Sequence, residues 1–380
     1  MDLSRGIKKF LKTIVYGVYD TKKVYNQVTD PQLSQSYYPG EPRKSKFTIW
    51  KDLMVWQLKH HEVNRLYFAY GLDRKNIDSS HIIPYRKFNR LRDSRNQQLP
   101  REQFNYANES YNYVCLLRDK FIFALVLKSL GFPTPRNIAI FNKAEFTWLE
   151  NMQAVPLESV LQDTQMGVDG FAKKLTGILG AGAFTLRIEK GKFFIQDREV
   201  TLEDLRNKID GQYLLQERVT QHPEMAKLHP SSVNTIRLVT VNNAGNVQPL
   251  TAALRIGAKG RSVDNWASGG IVTSINLDTG LLEGEGLFKP GYGAKVTVHP
   301  DTGVVLEGFK IPYFTESVAL ACKLHTYLYG IHSIGWDIAV TSDGPVLIEG
   351  NDDWEGGIPM ALDSNFKAKL FKMYESSSGR

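Results

Sequence analysis

The segment that most constrains the fold lies at residues 335–351 and has the sequence GWDIAVTSDGPVLIEGN. Two apolar runs flank a turn of Ser, Asp and Gly, which predicts two adjacent antiparallel strands. Their apolar character predicts that both strands are buried. The second run ends in Glu349, Gly350, Asn351, Asp352 and Asp353. A polar loop is the simplest explanation of this ending, and other parts of the chain test whether it is sufficient.

The turn determines whether the carboxylates of this hairpin meet. A two-residue turn would put Asp337 opposite Ile348, whereas a three-residue turn ending at Gly344 would put Asp337 opposite Glu349. Glycine readily adopts the left-handed conformation that the longer turn requires, so we expect the three-residue turn. Glu349 and Asn351 are two residues apart and share one face of their strand.

With that register, three oxygen-bearing side chains meet at the end of a sheet: Asp337, Glu349 and Asn351. Two facing carboxylates repel each other unless a cation lies between them. A few protein oxygens, completed by phosphates and water, are the coordination that Mg²⁺ prefers. We therefore predict a magnesium site here. The alternative is a core aspartate bonded to the backbone, beside an ordinary loop carboxylate.

Cations within apolar strands are the second unusual feature of the sequence. Lys173 lies in FAKK, Arg237 in NTIRLVTV and Arg255 in LTAALRIG. A buried cation is costly without an anionic partner, and phosphate groups would supply one. FAKK is followed by a loop with Gly177 and Gly180, whose backbone N–H groups can approach phosphate oxygens. A plain hairpin would explain the same loop.

Composition restricts the classes of function. The apolar fraction of 42% is typical of a soluble protein, and the N-terminus lacks the apolar core and cleavage site of a signal peptide. The two cysteines, Cys115 and Cys322, lie in apolar helical surroundings, so we expect buried thiols and a reducing, cytoplasmic compartment. The net charge of +7 permits contact with anionic ligands or membranes. Without zinc-ligand spacing or an RNA-binding aromatic strand, no nucleic-acid partner is expected.

Helices and hairpins alternate without the regular spacing of βαβ units, which predicts an α+β fold with mostly antiparallel sheets. Residues 1–105 are predicted to be a helical region, beginning with a basic helix over residues 1–28. That helix either packs on the body of the protein or contacts a membrane surface. Three further segments are predicted, at residues 106–165, 166–219 and 220–375.

The order of these segments resembles the ATP-grasp superfamily over about residues 111–360. The resemblance lies in LLRDKFIF with LGFPTPR, then FAKK, LLQERV, VNTIRLVTV, GWDIAV and LIEGN. A helical N-terminal region, with QHPEMAKLHPSSVNTIRLVT before DNWASGG, is most similar to the sugar-transfer-associated ATP-grasp family. Lys174, where many ATP-grasp proteins have proline, is a departure that affects the expected geometry of the lid.

The resemblance implies an ATP-grasp fold, in which two α+β subdomains grip ATP, with ATP and Mg²⁺ as cofactors. It implies ATP contacts from Lys120, Lys173, Gly177, Gly180, Gln216, Glu217, Val219, Asn265, Gly269 and Gly270. Among these, Gln216 or Glu217 would meet the adenine amino group, with backbone contacts from Glu217 and Val219. Catalytic roles fall to Lys173, Arg237 and Arg255, and metal binding to Asp337, Glu349 and Asn351.

The implied activity is an ATP-dependent carboxylate–amine ligase that forms an amide through an acyl phosphate. The expected substrates are an acidic glycan or small-molecule acid and an amine, in modification of bacterial surface polysaccharide. The protein would be cytoplasmic, with the basic N-terminal helix allowing association with the inner face of the membrane. Two alternatives stay open, namely a kinase of the same fold and a non-catalytic nucleotide-binding module.

Overall fold

The computed structural model describes residues 20–97, 113–162, 167–175, 177, 182–260 and 264–375. Helices and two antiparallel sheets form the predicted α+β architecture. Most of the predicted helix at residues 1–28 lies outside the described residues, and its helical residues 20–29 are called α1. Gly180 and the predicted boundaries near residues 105 and 165 also lie outside them.

The N-terminal region is helical, as predicted. After α1 come α2 (Lys46–His60) and α3 (Tyr85–Asp93). The hydroxyl of Ser45 caps α2 by accepting a hydrogen bond from the Thr48 amide at 3.1 Å. Two short helices, α4 (Cys115–Arg118) and α5 (Lys120–Ser129), then lead to the first sheet, and Asp119 caps α5.

The first sheet has eight strands in the order β3-β2-β1-β8-β4-β5-β6-β7. The strands are β1 (Asn137–Phe141), β2 (Glu145–Trp148), β3 (Gln153–Pro156), β4 (Val168–Lys174), β5 (Phe184–Glu189), β6 (Lys192–Ile195), β7 (Arg198–Val200) and β8 (Tyr213–Glu217). Helix α6 (Leu202–Lys208) begins at Thr201 with a capping box, as its sequence predicts. Because β8 pairs with both β1 and β4, the predicted second and third segments of the chain share one sheet.

The second sheet has seven strands in the order β13-β12-β11-β10-β9-β14-β15. The strands are β9 (Thr235–Asn243), β10 (Asn246–Ile256), β11 (Ile271–Ile275), β12 (Leu282–Phe288), β13 (Lys295–Val296), β14 (Ser333–Thr341) and β15 (Gly344–Asn351). The accompanying helices are α7 (Pro223–Leu228), α8 (Phe314–Tyr327), α9 (Gly357–Leu362) and α10 (Phe366–Glu375). Among the described residues, no helix is long and apolar enough to cross a membrane.

The seven-stranded sheet is covered on both faces. From β9, Ile236 and Leu238 enter a core that also contains Leu324 of α8. The alternate residues Val239 and Val241 enter a second core, which contains side chains of the N-terminal helices and of α10. The N-terminal helical region therefore packs on the sheet through a shared core.

The C-terminal hairpin has a different turn from the predicted one. Thr341 pairs with Gly344, so the turn has two residues and the prediction of a three-residue turn is wrong. Asp337 nevertheless lies opposite Glu349, because the register shifts between Ile338 and Asp337. The predicted pair of carboxylates is therefore present, although the turn does not produce it.

A β-bulge at Ile348 produces the register shift. Ile338 pairs with Leu347 and Asp337 with Glu349, which leaves Ile348 as the extra residue of β15. In a regular strand, Leu347 and Glu349 would share a face. The bulge allows the fully buried Leu347 to enter the core while Glu349 stays beside Asp337 on the other face. Burial of Leu347 is the physical reason for the difference.

The prediction that both thiols are buried is wrong. Cys115 is exposed at the start of α4, and Cys322 of α8 is only partly buried. Both cysteines lie on helices. A helix buries only one of its sides, so a residue in an apolar segment can still lie on the side that solvent reaches. The burial of these two thiols therefore does not indicate a reducing compartment.

Replacing Gly344 tests whether the bulge or the turn sets the register. Gly344 has φ of +120°, and a Cβ there would meet no atom within 4 Å. We expect Gly344→Val to lower the free energy of unfolding by about 1 kcal/mol through backbone strain. Because the register beyond the turn depends on Leu347 and the bulge, the affinity for ATP with Mg²⁺ should stay unchanged in titration calorimetry.

The matched control is Gly40→Val, since Gly40 has the same free space without a positive φ. It should cost less stability than Gly344→Val. Weakened nucleotide binding in Gly344→Val alone would show that the turn sets the register.

Candidate active site

Charged side chains of three adjacent strands form one row across the seven-stranded sheet. Arg237 of β9 lies opposite Asp337 of β14, which lies opposite Glu349 of β15. Nε of Arg237 is 2.9 Å from Oδ1 of Asp337. A Cβ at Gly335 would come within 3.2 Å of NH1 of Arg237, so a residue without a side chain is needed beneath this guanidinium. We call Arg237, Asp337 and Glu349 the charged row.

Arg255 of β10 joins the charged row from the side. Its NH1 lies 3.3 Å from Oδ2 of Asp337, and its NH2 lies 3.3 Å from Oδ1 of Asp264. Oδ2 of Asp264 also accepts hydrogen bonds from the amide and hydroxyl of Thr235, at 3.1 and 2.5 Å. Burial raises the pKa of Asp264. Although burial opposes its charge, the pKa of Arg255 is raised by Asp264 and Asp337.

The sequence does not indicate Asp264 as a site residue. It comes directly before Asn265, and only an acid in the run VDNW marks its position. Its partner Arg255 lies nine residues earlier, on β10. Asp264 fixes the guanidinium of Arg255 and is therefore a positioning residue.

The two predicted phosphate lysines approach the charged row from the eight-stranded sheet and α5. Nζ of Lys120 donates a hydrogen bond to the carbonyl of Gly177 at 2.5 Å and lies 3.9 Å from Oε1 of Glu349. Lys173 of β4 is 9% exposed and forms no ion pair within 4 Å in the described residues. Burial lowers its pKa to about 8, with Lys120 acting in the same direction and Glu349 opposing both. Lys173 is therefore a buried cation that lacks a close anionic partner.

The oxygens around Glu349 fit a divalent cation. In the orientation that satisfies both ends of its amide, the nitrogen of Asn351 donates to Oε1 of Glu349 and its oxygen accepts from NH1 of Arg237, each at 3.2 Å. The Asn351 side chain therefore lies between Glu349 and Arg237, and a turn of the amide would bring its oxygen to a cation held at Glu349. Oδ1 of Asp337 is buried and lies 2.9 Å from Nε of Arg237, yet it accepts no well-aligned hydrogen bond from the described residues, so it retains lone-pair capacity for a metal ion.

The chemistry of the donor set indicates which cation would bind. Among the described residues, no cluster of three or more His, Cys, Asp and Glu side chains could hold a metal. Two carboxylates and one amide make a partial oxygen shell, which Mg²⁺ completes with phosphate and water oxygens. Asp337, Glu349 and Asn351 therefore fit the predicted magnesium ligands.

The loop with Asn265, Gly269 and Gly270 follows Asp264, the partner of Arg255, and contacts within the loop determine its shape. Oδ1 of Asn265 accepts a hydrogen bond from the amide of Ala267, and Gly269 has φ of +93°. A Cβ at Gly270 would lie 2.4 Å from the carbonyl oxygen of Asp264. These residues shape the loop that carries Asp264, and their contact with a triphosphate stays a prediction.

The predicted adenine-binding segment lies at the end of β8, in the middle of the eight-stranded sheet. Nε2 of Gln216 donates to Oδ1 of Asn137 at 2.7 Å, and the amide of Glu217 donates to the carbonyl of Arg136 at 2.9 Å. The Glu217 amide is therefore occupied, which leaves backbone carbonyls and Val219 as the free candidates for a base. An apolar cleft of about 500 Å³ beside Arg136 and Asn137 shares no residue with the charged row.

Glu355 is a second residue that the sequence did not indicate. Its side chain is exposed to solvent, yet the surrounding protein raises its pKa, and Lys289, Arg237 and Arg65 oppose that rise. Glu355, Lys289 and Arg65 form no side-chain hydrogen bond or ion pair in the described part of the chain. The Glu355 carboxyl is thus close enough to Arg237 of the charged row and to Arg65 of the N-terminal region for their charges to act on it.

The charged row lies within a part of the chain that matches a known protein family. Residues 99–373 match the sequence model described as sugar-transfer associated ATP-grasp. The chain belongs to this family. The match spans both sheets and every residue of the charged row, so the family resemblance in the sequence is confirmed. A search of curated proteins gives no match to this ATP-grasp chain.

Solved structures with a similar chain path include three enzymes. N5-carboxyaminoimidazole ribonucleotide synthetase from Thermotoga maritima is 15% identical, with a TM-score of 0.36, covering 69% of this chain and 50% of that one. D-alanine-D-alanine ligase from Helicobacter pylori is 13% identical, with a TM-score of 0.38 and coverages of 70% and 60%. The biotin carboxylase domain of Hydrogenobacter thermophilus 2-oxoglutarate carboxylase, solved with MgADP, is 14% identical, with a TM-score of 0.38 and coverages of 70% and 46%. The chain thus spans roughly half the length of these relatives.

Replacing Lys173 with an uncharged side chain should stabilise the nucleotide-free protein. Because its pKa is lowered from 10.5 to about 8, the folded state binds fewer protons than the unfolded state between these values. The penalty is therefore full below pH 8 and disappears as pH rises toward 10.5. In EDTA at pH 7, Lys173→Met should raise the free energy of unfolding by up to about 3 kcal/mol, since one pKa unit is about 1.4 kcal/mol.

Denaturant unfolding at pH 7 and pH 10.5 measures this difference, and ATP affinity should fall in the same variant. Lys174→Met is the control, because Lys174 is partly exposed and pairs with Asp210. Destabilisation by Lys173→Met at pH 7 would show that the ammonium has a partner that holds it.

Proposed function

We propose that the chain is an ATP-dependent carboxylate–amine ligase that uses ATP and Mg²⁺. The observation that carries the proposal is that four cations surround the carboxylates of Asp337 and Glu349, namely Lys120, Lys173, Arg237 and Arg255. Among the described residues, Lys173 has no anion within ion-pair distance. Excess buried positive charge beside an oxygen-rich strand end suits a polyphosphate held with a metal ion. The family to which the chain belongs supports the same reading of the site.

Each residue would act by binding and positioning charge. Lys120 and Lys173 would contact phosphate oxygens of ATP, and Arg237 would hold the phosphoryl group as it moves to the substrate carboxylate. Arg255, fixed by Asp264, would orient that carboxylate for attack on the γ-phosphorus. Mg²⁺, held by Asp337, Glu349 and Asn351, would neutralise charge on the phosphates when bound. The products of this step are ADP and an acyl phosphate.

The second half of the reaction requires a free amine. An ammonium group must lose a proton before its nitrogen attacks the acyl phosphate and displaces inorganic phosphate. Glu355 is close enough to Arg237 to feel its charge, and the protein around Glu355 raises its pKa, which suits a group that accepts a proton. In this proposal, Glu355 receives the proton of the amine on the side of the charged row that faces the N-terminal helices.

The proposed substrate class rests on the charge around Glu355 and on the family. The positive charges of Arg65 and Lys289 act on Glu355, so an acidic group of the substrate would find cations beside the amine. A uronic acid or another acidic glycan, joined to an amino acid or small amine, meets both requirements. The pathway in this proposal is the modification of bacterial surface polysaccharide in the cytoplasm.

A hydroxylamine trap tests the ligase assignment. The protein is incubated with ATP, Mg²⁺ and a panel of sugar acids and small carboxylic acids, with hydroxylamine as the nucleophile. A ligase should release ADP and form an acyl hydroxamate, detected by mass spectrometry, because hydroxylamine is unprotonated at neutral pH and intercepts the acyl phosphate. Glu349→Gln should lower the rate by at least ~100-fold through loss of a metal-ligand charge.

Glu203→Gln is the control, since Glu203 is an exposed residue of α6 far along the chain from the charged row. A stable phosphorylated product with ADP would identify a kinase instead. ATP binding without ADP release across the panel would identify a non-catalytic module.

A further inference from the structure

The outward face of α2 carries large apolar side chains that the described part of the chain does not cover. Phe47 and Leu58 are each 72% exposed, Val55 is 53% exposed and Trp50 is 37% exposed. The rings of Phe47 and Trp50 stack with centroids 6.2 Å apart. The spacing of Phe47, Trp50 and Leu58 puts these three on one side of the helix.

The opposite side of α2 is apolar as well. Ile49 and Leu53 are buried in the core shared with the seven-stranded sheet. A surface helix of a soluble protein is ordinarily polar on its outer side, and a helix with two apolar faces is covered on both. Within the described part of the chain, nothing covers the outer face of α2.

The charges of α2 indicate what that cover is. Lys46, Lys51 and Lys59 are exposed and form no ion pair with any described residue. Asp52 is the one acid of α2, and its carboxylate is engaged by Lys44 at 2.8 Å and by the hydroxyl of Tyr67 at 2.9 Å. The apolar stripe is thus bordered by uncompensated positive charge.

Positive charge continues past the end of α2 onto α3. Burial, together with Lys59 and Lys87, lowers the pKa of His60, which places Lys87 of α3 near the end of α2. Glu62 lies in the same corner, where its carboxylate accepts hydrogen bonds from two α3 backbone amides at 2.7 and 2.8 Å. It is the one acid that acts on His60, against Lys59 and Lys87, so the charge around the end of α2 stays positive.

We propose that this face, the α2 surface (Phe47, Trp50, Lys51, Val55 and Leu58), binds an anionic lipid membrane. Aromatic and aliphatic side chains would enter the boundary between headgroups and acyl chains, and the lysines would contact anionic headgroups. The helix would lie in the plane of the membrane, along a length of about 22 Å for 15 residues. This surface is separate from the charged row, so the inference stands apart from the ligase assignment.

A second copy of the chain fits the α2 surface less well. In a two-fold dimer through this face, the same patch meets itself. Lys51 lies four residues after Phe47 and seven before Leu58, within the apolar stripe, so it would be brought toward its own counterpart. The like charges would repel, whereas an anionic lipid surface compensates them.

Vesicle cosedimentation of the full-length protein tests the proposal. The wild type should bind vesicles of phosphatidylglycerol with phosphatidylcholine, more weakly at high salt, and should bind vesicles of phosphatidylcholine alone weakly. Phe47→Ser/Leu58→Ser should reduce the affinity for the anionic vesicles by about tenfold or more, since two exposed apolar side chains are lost. Lys51→Glu/Lys59→Glu should reduce both the affinity and its salt dependence.

The matched control is Met152→Ser/Val305→Ser, which replaces two apolar side chains that are 63% and 58% exposed elsewhere on the protein. It should bind like the wild type. The proposal is overturned if the wild type does not bind anionic vesicles, or if Phe47→Ser/Leu58→Ser binds them as well as the wild type does. It is also overturned if ultracentrifugation shows a dimer that this variant dissociates and vesicles fail to bind. Circular dichroism of each variant confirms that the fold is retained.

Discussion

The ion pair between Arg237 and Asp337 is the interaction on which the site depends. Both side chains lie on adjacent strands of a sheet that is packed on both faces, and burial lowers the pKa of Arg237. Neither charge is tolerable there alone, because removing one partner leaves the other desolvated and unpaired. Asp337 of this pair also contacts Arg255 at 3.3 Å and lies opposite Glu349 on the next strand. The remaining cations then exceed the carboxylates, and a phosphate-bearing ligand restores the balance.

The bulge at Ile348 resolves a conflict between packing and chemistry. Leu347 and Glu349 are two residues apart, so a regular strand would place both side chains in the core or both on the face that carries the charged row. Burying Glu349 would leave its carboxylate unpaired among apolar side chains, and exposing Leu347 would remove a fully buried residue from the core. One additional residue in β15 satisfies both requirements. Bulges recur beside active sites for this reason, because they redirect a side chain without ending the strand.

The sequence predicted those parts of the site whose signals are local. Lys173, Arg237 and Arg255 were identified because a cation is conspicuous within an apolar strand, and each lies near the charged row. The pairing of Asp337 with Glu349 was correct, although the three-residue turn invoked for it is absent. A turn sequence carries no information about a bulge four residues later, since that bulge depends on which side chain the core accepts.

Other parts of the site depend on contacts between segments that are distant in sequence. Asp264 is defined by Arg255 and Thr235, and Glu355 by cations from three separate segments of the chain. Nothing in the flanking residues marks either acid. The thiols show the same limit, because the apolar composition around Cys115 did not reveal which side of its short helix faces solvent. The α+β class was predictable since it follows from the pattern of elements, which is local.

Trp354 shows how the N-terminal helices and the charged row are joined. Its indole packs edge-on against Phe88 of α3, with ring centroids 5.0 Å apart, and donates a hydrogen bond to Ser333 of β14. Its Cβ lies 2.6 Å from where a Cβ of Gly335 would be, directly beneath the guanidinium of Arg237. One side chain thus contacts helix α3, strand β14 and the residue beneath the guanidinium of Arg237. The acidic segment ends in a tryptophan because that residue anchors the N-terminal helices to the same face that holds the charge. The N-terminal helices consequently pack beside the charged row, and Glu355, the next residue along the chain, is close enough to Arg237 and Arg65 for their charges to act on its carboxyl.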